Sequence, residues 1–122
     1  MTESQLQCFR QALERQLKES MFVFELLNRA VNRTHKDLKE ESRDKSVLYA
    51  EIEQLLHQAD QERQRVGEIH MALNRMERGD YGICVSCRKR ISLTRLEIFP
   101  TARFCAGCTR LMEQQKKNRA RG

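Results

Sequence analysis

Apolar residues recur along the middle of the chain at alternating steps of four and three: Leu48, Ile52, Leu55, Ala59, Glu62, Val66, Ile69, Leu73 and Met76. Glu62 is the one member that breaks the apolar seam. Spacing of this kind lines one face of a helix, and over four heptads it predicts a helix packed along its length against a partner helix. A second, less regular stripe lies upstream: Leu6, Phe9, Leu13, Leu17, Met21, Phe24, Leu27, Val31 and Leu38, with His35 filling a slot near its end. From Thr2 to Val66 there is neither glycine nor proline to interrupt a helix. Between the stripes, Lys39–Ser46 (KEESRDKS) contains no apolar residue, and Ser42 or Asp44 could cap the second helix by accepting its free N–H groups. Two seams joined by a short polar connection predict an antiparallel hairpin over residues 1–78, with its tip near 39–46. At 1.5 Å per residue the rod would be roughly 50 Å long. Two separate helices in a parallel homodimer are the competing arrangement.

Gly79 and Gly82 end the periodic region around Asp80 and Tyr81. Residues 79–122 then predict a small module with turns at two cysteine pairs, weak strand character over Ile91–Phe99, and a final helix from about Gly107 into the basic tail KKNRARG. The expected fold is mostly α: a long helical hairpin, a four-cysteine zinc-finger module and a C-terminal helix. There is no internal repeat.

The cysteines change the picture most. Cys84-x-x-Cys87 and Cys105-x-x-Cys108 are separated by seventeen residues. Each pair can place two sulfurs on one metal, and the intervening loop brings the pairs together for tetrahedral zinc coordination. A redox pair would need a cysteine pair at a helix start within a βαβ context, which the pattern lacks. With four thiolates no ligand position is left for water, so one structural Zn²⁺ is expected rather than a catalytic one. Cys8 has no partner at metal-ligand spacing. His35, His57 and His70 are scattered over the helices without pairing, as solvated or seam-edge residues.

Composition and charge narrow the classes that remain. The chain has 122 residues, 39% hydrophobic and 33% charged, with no tryptophan. That supply of core residues is thin, and closer to a coiled coil than to a globule. Chains with little core rely on a staple such as a metal. The net charge is +6, and residues 79–122 hold ten Lys/Arg against three Asp/Glu. The basic surplus therefore lies in the cysteine-containing third. Four thiolates on Zn²⁺ carry a formal charge of −2, which Arg88, Lys89, Arg90, Arg95, Arg103 and Arg110 would offset. No apolar run approaches a membrane span, and the N-terminus lacks the apolar region of a secretion signal, so a cytoplasmic protein with no membrane contact is expected. No nucleophile–base pair or open metal position supports an enzyme.

Tyr81-Gly82, Cys84, Cys87, Ile91, Arg95-Leu96, Pro100, Ala102, Cys105 and Cys108 together resemble the signature of the DksA/TraR family of bacterial transcription regulators. With the preceding coiled coil the resemblance covers most of the chain. It implies docking on RNA polymerase, with the hairpin tip passed through the secondary channel toward the active site to alter initiation, and no direct sequence-specific DNA binding. A monomer is expected. The family tip carries two acidic residues three apart and an alanine two further on. A gapless count from the first zinc cysteine places these on Glu41, Asp44 and Ser46, so the second acid is kept, glutamate stands for aspartate, and serine for alanine. The longer members also use three cations to bind the alarmone ppGpp. Their positions fall on Glu68, Phe99 and Thr109, which predicts weak or no ppGpp dependence. Because the coiled-coil pattern begins at the start of the sequence, a chain without the N-terminal extension of the longest members is expected. Arg88 departs as well, standing where the family usually has glycine, at a position that often needs an unusual backbone angle. The alternatives are a zinc-ribbon nucleic-acid binder using Arg88, Lys89, Arg90, Lys116, Lys117, Arg119 and Arg121 on phosphates, and a structural coiled-coil adaptor.

Overall fold

A computed structural model describes residues 1–40 and 44–121. Four helices follow in order: α1 (Glu3–Glu40), α2 (Lys45–Arg78), α3 (Leu93–Ile98) and α4 (Ala106–Arg121). They belong to two compact units, Arg15–Glu68 and the combination of Met1–Glu14 with Ile69–Gly122. Among the described residues no helix is long and apolar enough to cross a membrane.

The ends of the long helices are set by local chemistry. Thr2 Oγ1 accepts the Gln5 N–H at 3.1 Å, while Gln5 Oε1 accepts the Thr2 N–H at 2.9 Å, a reciprocal capping box that starts α1. At the start of α2, Asp44 Oδ1 accepts the Ser46 N–H at 3.0 Å, satisfying one orphan donor. Asp44 thus fills the capping role; Ser42, the other candidate, lies outside the described residues. The end of α2 turns on Gly79, whose φ of +85° is easily adopted only without a Cβ. The Asp80 N–H reaches the Arg75 carbonyl at 3.0 Å and the Gly79 N–H reaches the Met76 carbonyl at 3.3 Å. These are the paired bonds of a Schellman motif, closing the last turn.

Within the Arg15–Glu68 unit, α1 and α2 form the two arms of a hairpin. Leu48, Ile52 and Ala59 are buried from the α2 side, as the periodicity predicts, and Val31 from the α1 side. The α1 stripe differs at two places. Met21, expected in the seam, is 56% exposed, and Ser20 is buried instead. His35 is exposed, and Thr34 fills the slot near the helix end. The reason is geometric: Leu17, Ser20, Phe24, Leu27, Val31 and Thr34 keep the strict three–four alternation, and a step of four from Leu17 to Met21 rotates off the face. Thr34 tolerates burial because its hydroxyl donates to the Ala30 carbonyl at 3.0 Å. Ser20 joins Glu62 in lining a polar cleft with Gln16, Glu19, Val23 and Arg65. There Glu62 Oε2 is buried without a hydrogen-bond partner among the described residues, while Oε1 accepts from Arg65 at 3.3 Å.

In the other unit, Leu13, Ile69, Ala72 and Leu96 are fully buried, with Phe9, Met76, Tyr81 and Ile91 nearly so. Each fully buried leucine or isoleucine contributes on the order of 2 kcal/mol. Phe9 and Tyr81 pack with ring centroids 5.9 Å apart. The Tyr81 hydroxyl donates to the Pro100 carbonyl at 2.8 Å in a buried setting. Ile91–Phe99 is not extended, contrary to expectation. Ser92 accepts the Arg95 N–H at 3.2 Å as the N-cap of α3, and Leu96 turns inward from that single helical stretch. Extended pairing among the described residues is reduced to one antiparallel bridge, Ile83 with Arg90.

Candidate metal centre and hairpin tip

The four cysteines converge, their Sγ atoms all lying within 4.8 Å of one another. Two different local structures deliver them. The first is a knuckle: the Arg88 N–H returns to the Cys84 carbonyl at 2.9 Å, and the Cys84 N–H reaches the Lys89 carbonyl at 2.8 Å. The chain then leaves antiparallel to its entry, with the Ile91 N–H on the Gly82 carbonyl at 2.7 Å. To close this turn Arg88 adopts φ +65°, the left-handed region, as expected of a position where the family favours glycine. Gly82, at φ +81°, is tight for another reason: a Cβ there would stand 3.0 Å from Met1 Cε and 3.4 Å from Leu96 Cδ1.

The second structure is a helix start. Cys105 precedes α4, and its Sγ accepts the Cys108 N–H at 3.4 Å while its carbonyl accepts the Thr109 N–H at 3.0 Å. A sulfur in an N-cap position is favoured as thiolate by the Cys108 N–H it accepts and by the helix dipole. The two structures are tied together by the Val85 N–H on the Arg103 carbonyl at 2.9 Å.

The acidities fit a metal-binding donor set. Burial alone would raise the Cys84 thiol. Hydrogen bonding from the backbone of Cys87, Cys105 and Ser86, and from the Cys87 thiol, outweighs this and brings it down to about 6. The Cys105 thiol is lowered, chiefly by the Cys108 N–H. Cys108, serving as proton donor to Cys105 and Cys84, is pushed up to about 12. A dication would displace such shared protons, which is how thiol sites couple metal binding to proton release. The spacing agrees as well. Four sulfurs about 2.3 Å from one tetrahedral centre stand about 3.8 Å apart, and Cys87 Sγ and Cys105 Sγ are 3.8 Å apart. Cys84, Cys87, Cys105 and Cys108 would hold the ion, closing the module with no position open to water.

Arg95 carries more than sequence reasoning assigned to it. Its Nε donates to the Phe104 carbonyl at 3.0 Å and a terminal nitrogen to Thr109 Oγ1 at 3.0 Å, and its guanidinium sits 5.8 Å from the Phe99 ring centroid. It stitches α3 to the segment carrying Cys105 and Cys108, rather than serving as loose countercharge. Thr109 and Phe99, two of the three positions expected to have lost cations, are thereby Arg95's partners. The third, Glu68, lies on α2 and is exposed. Such a side-chain bond across nine or fourteen residues has no signature in periodicity. Cys8 is exposed and stands outside the cluster.

At the tip, Asp44 and Ser46 are brought into contact. Asp44 Oδ1 accepts the Ser46 hydroxyl at 2.7 Å as well as its N–H. These two bonds, the hydroxyl first, hold the Asp44 carboxyl below its ordinary range although it is exposed to solvent. Glu41, the other acid expected at the tip, lies outside the described residues.

The family described as prokaryotic dksA/traR C4-type zinc finger matches residues 79–114. Over nearly its whole length the chain is similar to the protein named RNA polymerase-binding transcription factor DksA of Escherichia coli (strain K12). The identity is 32%, across 98% of this chain and 79% of that relative. The protein of the same name from Salmonella typhimurium is 31% identical over the same shares. Among solved structures, transcription factor DksA2 from Pseudomonas aeruginosa is similar with a TM-score of 0.84 and 29% identity, covering 96% of this chain and 89% of that one. The matched finger and the converged thiols together assign one structural zinc ion to the four cysteines.

Proposed function

We propose, from the premise that this chain belongs to the DksA/TraR family, that it regulates transcription by binding RNA polymerase. In this reading the tip between α1 and α2 enters the secondary channel and acts near the polymerase active site, and the zinc module is scaffold rather than reagent. The relatives' names support the partner. The observation that carries the tip's role is Asp44: an exposed carboxylate, ionised at neutral pH, fixed at the first turn of α2 through one oxygen by Ser46. A fixed negative charge brought close to the polymerase active site can shift the balance of initiation complexes through Coulomb forces that water does not fully screen. Serine in place of the family's alanine fits here as the group that orients the acid.

We further infer little or no dependence on ppGpp. A polyanion with several negative charges needs charge-assisted donors. Glu68 offers the wrong sign, while Thr109 and Phe99 are occupied by Arg95. The test is transcription in vitro with purified polymerase, wild type against Asp44→Asn, with and without ppGpp. The amide keeps the shape and removes the charge, so Asp44→Asn is expected to retain polymerase binding and lose the effect on initiation. Loss of both, or of neither, would count against the tip; strong potentiation by ppGpp would sink the second inference.

A further inference from the structure

Between α3 and α4, residues 99–104 are neither helix nor strand, yet most of their carbonyls are engaged. The Phe99 carbonyl accepts the Ala102 N–H at 2.9 Å, and the Arg103 carbonyl accepts the Val85 N–H at 2.9 Å. Three more are met by side chains. The Tyr81 hydroxyl donates to Pro100 at 2.8 Å, the Arg75 guanidinium to Thr101 at 3.4 Å, and Arg95 Nε to Phe104 at 3.0 Å. All of these residues lie within the unit formed by Met1–Glu14 and Ile69–Gly122. The segment runs into Cys105, so what fixes its course also fixes where the second pair of sulfurs is delivered.

Arg75 is the unusual member of this set. It stands near the end of α2 and is only 5% exposed, an unfavourable place for a guanidinium without a counter-ion. Among the described residues no carboxylate comes within ion-pair distance of it. Burial first, and then the charge of Arg103, hold its guanidinium below its ordinary value, with Asp80 pulling the other way. Among the described residues its side chain reaches one hydrogen-bond acceptor, the Thr101 carbonyl. A methionine would fill the same space without the desolvation penalty. What methionine lacks is a planar donor for a stretch of backbone that has no ladder of its own.

We propose that Arg75 is a positioning residue of the zinc site, holding Thr101 from α2 so that Cys105 and Cys108 are preset for the metal. Ligands already held near their final places lose less freedom when the ion arrives, so zinc affinity depends on a side chain that bonds to no cysteine. Tyr81 and Arg95 hold neighbouring carbonyls of the same segment, but Arg75 is the donor supplied by the long helix.

The test uses the full chain loaded with zinc, or with cobalt(II), whose visible bands report the tetrahedral thiolate geometry. Arg75→Met is expected to bind zinc about ten-fold more weakly in chelator competition, the low end for residues that support a metal site from outside its ligand set, and to shift the cobalt bands. Arg75→Lys keeps the charge and a donor but not the planar fork, and should recover affinity to within about three-fold of wild type. Ile69→Ala is the control: it hollows the core of the same unit from the same helix, and should lower the unfolding midpoint with the cobalt bands unmoved. An Arg75→Met protein that binds zinc within about two-fold of wild type overturns the proposal. So does an affinity loss with unmoved bands, or an equal band shift in Ile69→Ala, because Arg75 would then act only through general stability. Should Arg75→Met fail to fold, Arg75→Gln, too short to carry a donor to Thr101, takes its place with the same expected loss and the same refuting outcomes.

Discussion

Replacing Arg88 should tighten zinc binding if its side chain is removed completely, and not if it is merely shortened. At φ +65° the Arg88 Cβ crowds the following carbonyl, a strain of about 1–2 kcal/mol for a residue other than glycine. Arg88→Gly removes that strain but gives the unfolded chain extra freedom, costing about 0.4–1 kcal/mol. The expected net gain is thus about 0.5–1 kcal/mol. The Arg88 N–H, which closes the knuckle on the Cys84 carbonyl at 2.9 Å, is retained in either variant. Arg88→Ala keeps the Cβ and its strain while removing the same positive charge, so the glycine–alanine difference isolates the backbone. Because a small metal module folds as it binds, the gain should read out as affinity, about two- to five-fold tighter for glycine than for alanine. Competition against a metallochromic chelator measures it at fixed pH. An alanine variant weaker than wild type would report how far the Arg88 charge supports the thiolates. A glycine variant no tighter than alanine would refute the account.

Three further outcomes are expected. Tyr81→Phe strands the buried Pro100 carbonyl and should lower unfolding stability by about 1–2 kcal/mol in denaturant titrations. In the wild type, burial pushes the Tyr81 phenol up to about 12, so its neutral form is favoured by the fold. That contribution is complete below the ordinary value near 10 and is lost as the pH climbs to about 12, by up to about 3 kcal/mol. Tyr81→Phe should lack this alkaline step. Stripping zinc with a strong chelator should release one ion per chain and add four reactive thiols to exposed Cys8, with loss of ellipticity from α3 and the start of α4; retention of the native spectrum would contradict the metal's structural role. Glu62→Leu should raise stability by about 1–2 kcal/mol, since it replaces a buried, unpartnered carboxylate oxygen with apolar contact, and a loss would show that the carboxylate is better satisfied than its geometry indicates.

What could be read in advance divides along physical lines. The α2 seam was legible because strict heptad spacing and apolarity coincide there, and the zinc site because ligand chemistry forces both residue type and interval. The α1 seam was only partly legible. Apolarity pointed to Met21 while helix geometry chose Ser20, and where the two conflict, a small polar residue with a local partner is cheaper to bury than a helix is to rewind. Ile91–Phe99 carries β-branched and aromatic residues, yet one Ser92 cap and one inward Leu96 decide it as a helical turn. Arg95 shows the deeper limit. Its charge was visible, but its bonds to Phe104 and Thr109 exist only once the fold has brought α3 against the start of α4 and the residues just before it. That contact also alters the meaning of the family departures. Thr109 and Phe99 are not blanks left by lost cations, because both are recruited to hold the one arginine that braces the metal-bearing segment. Restoring a cation at Thr109 would therefore set two positive groups against each other beside Arg95, so a gain of polyanion binding there would come at the expense of the brace.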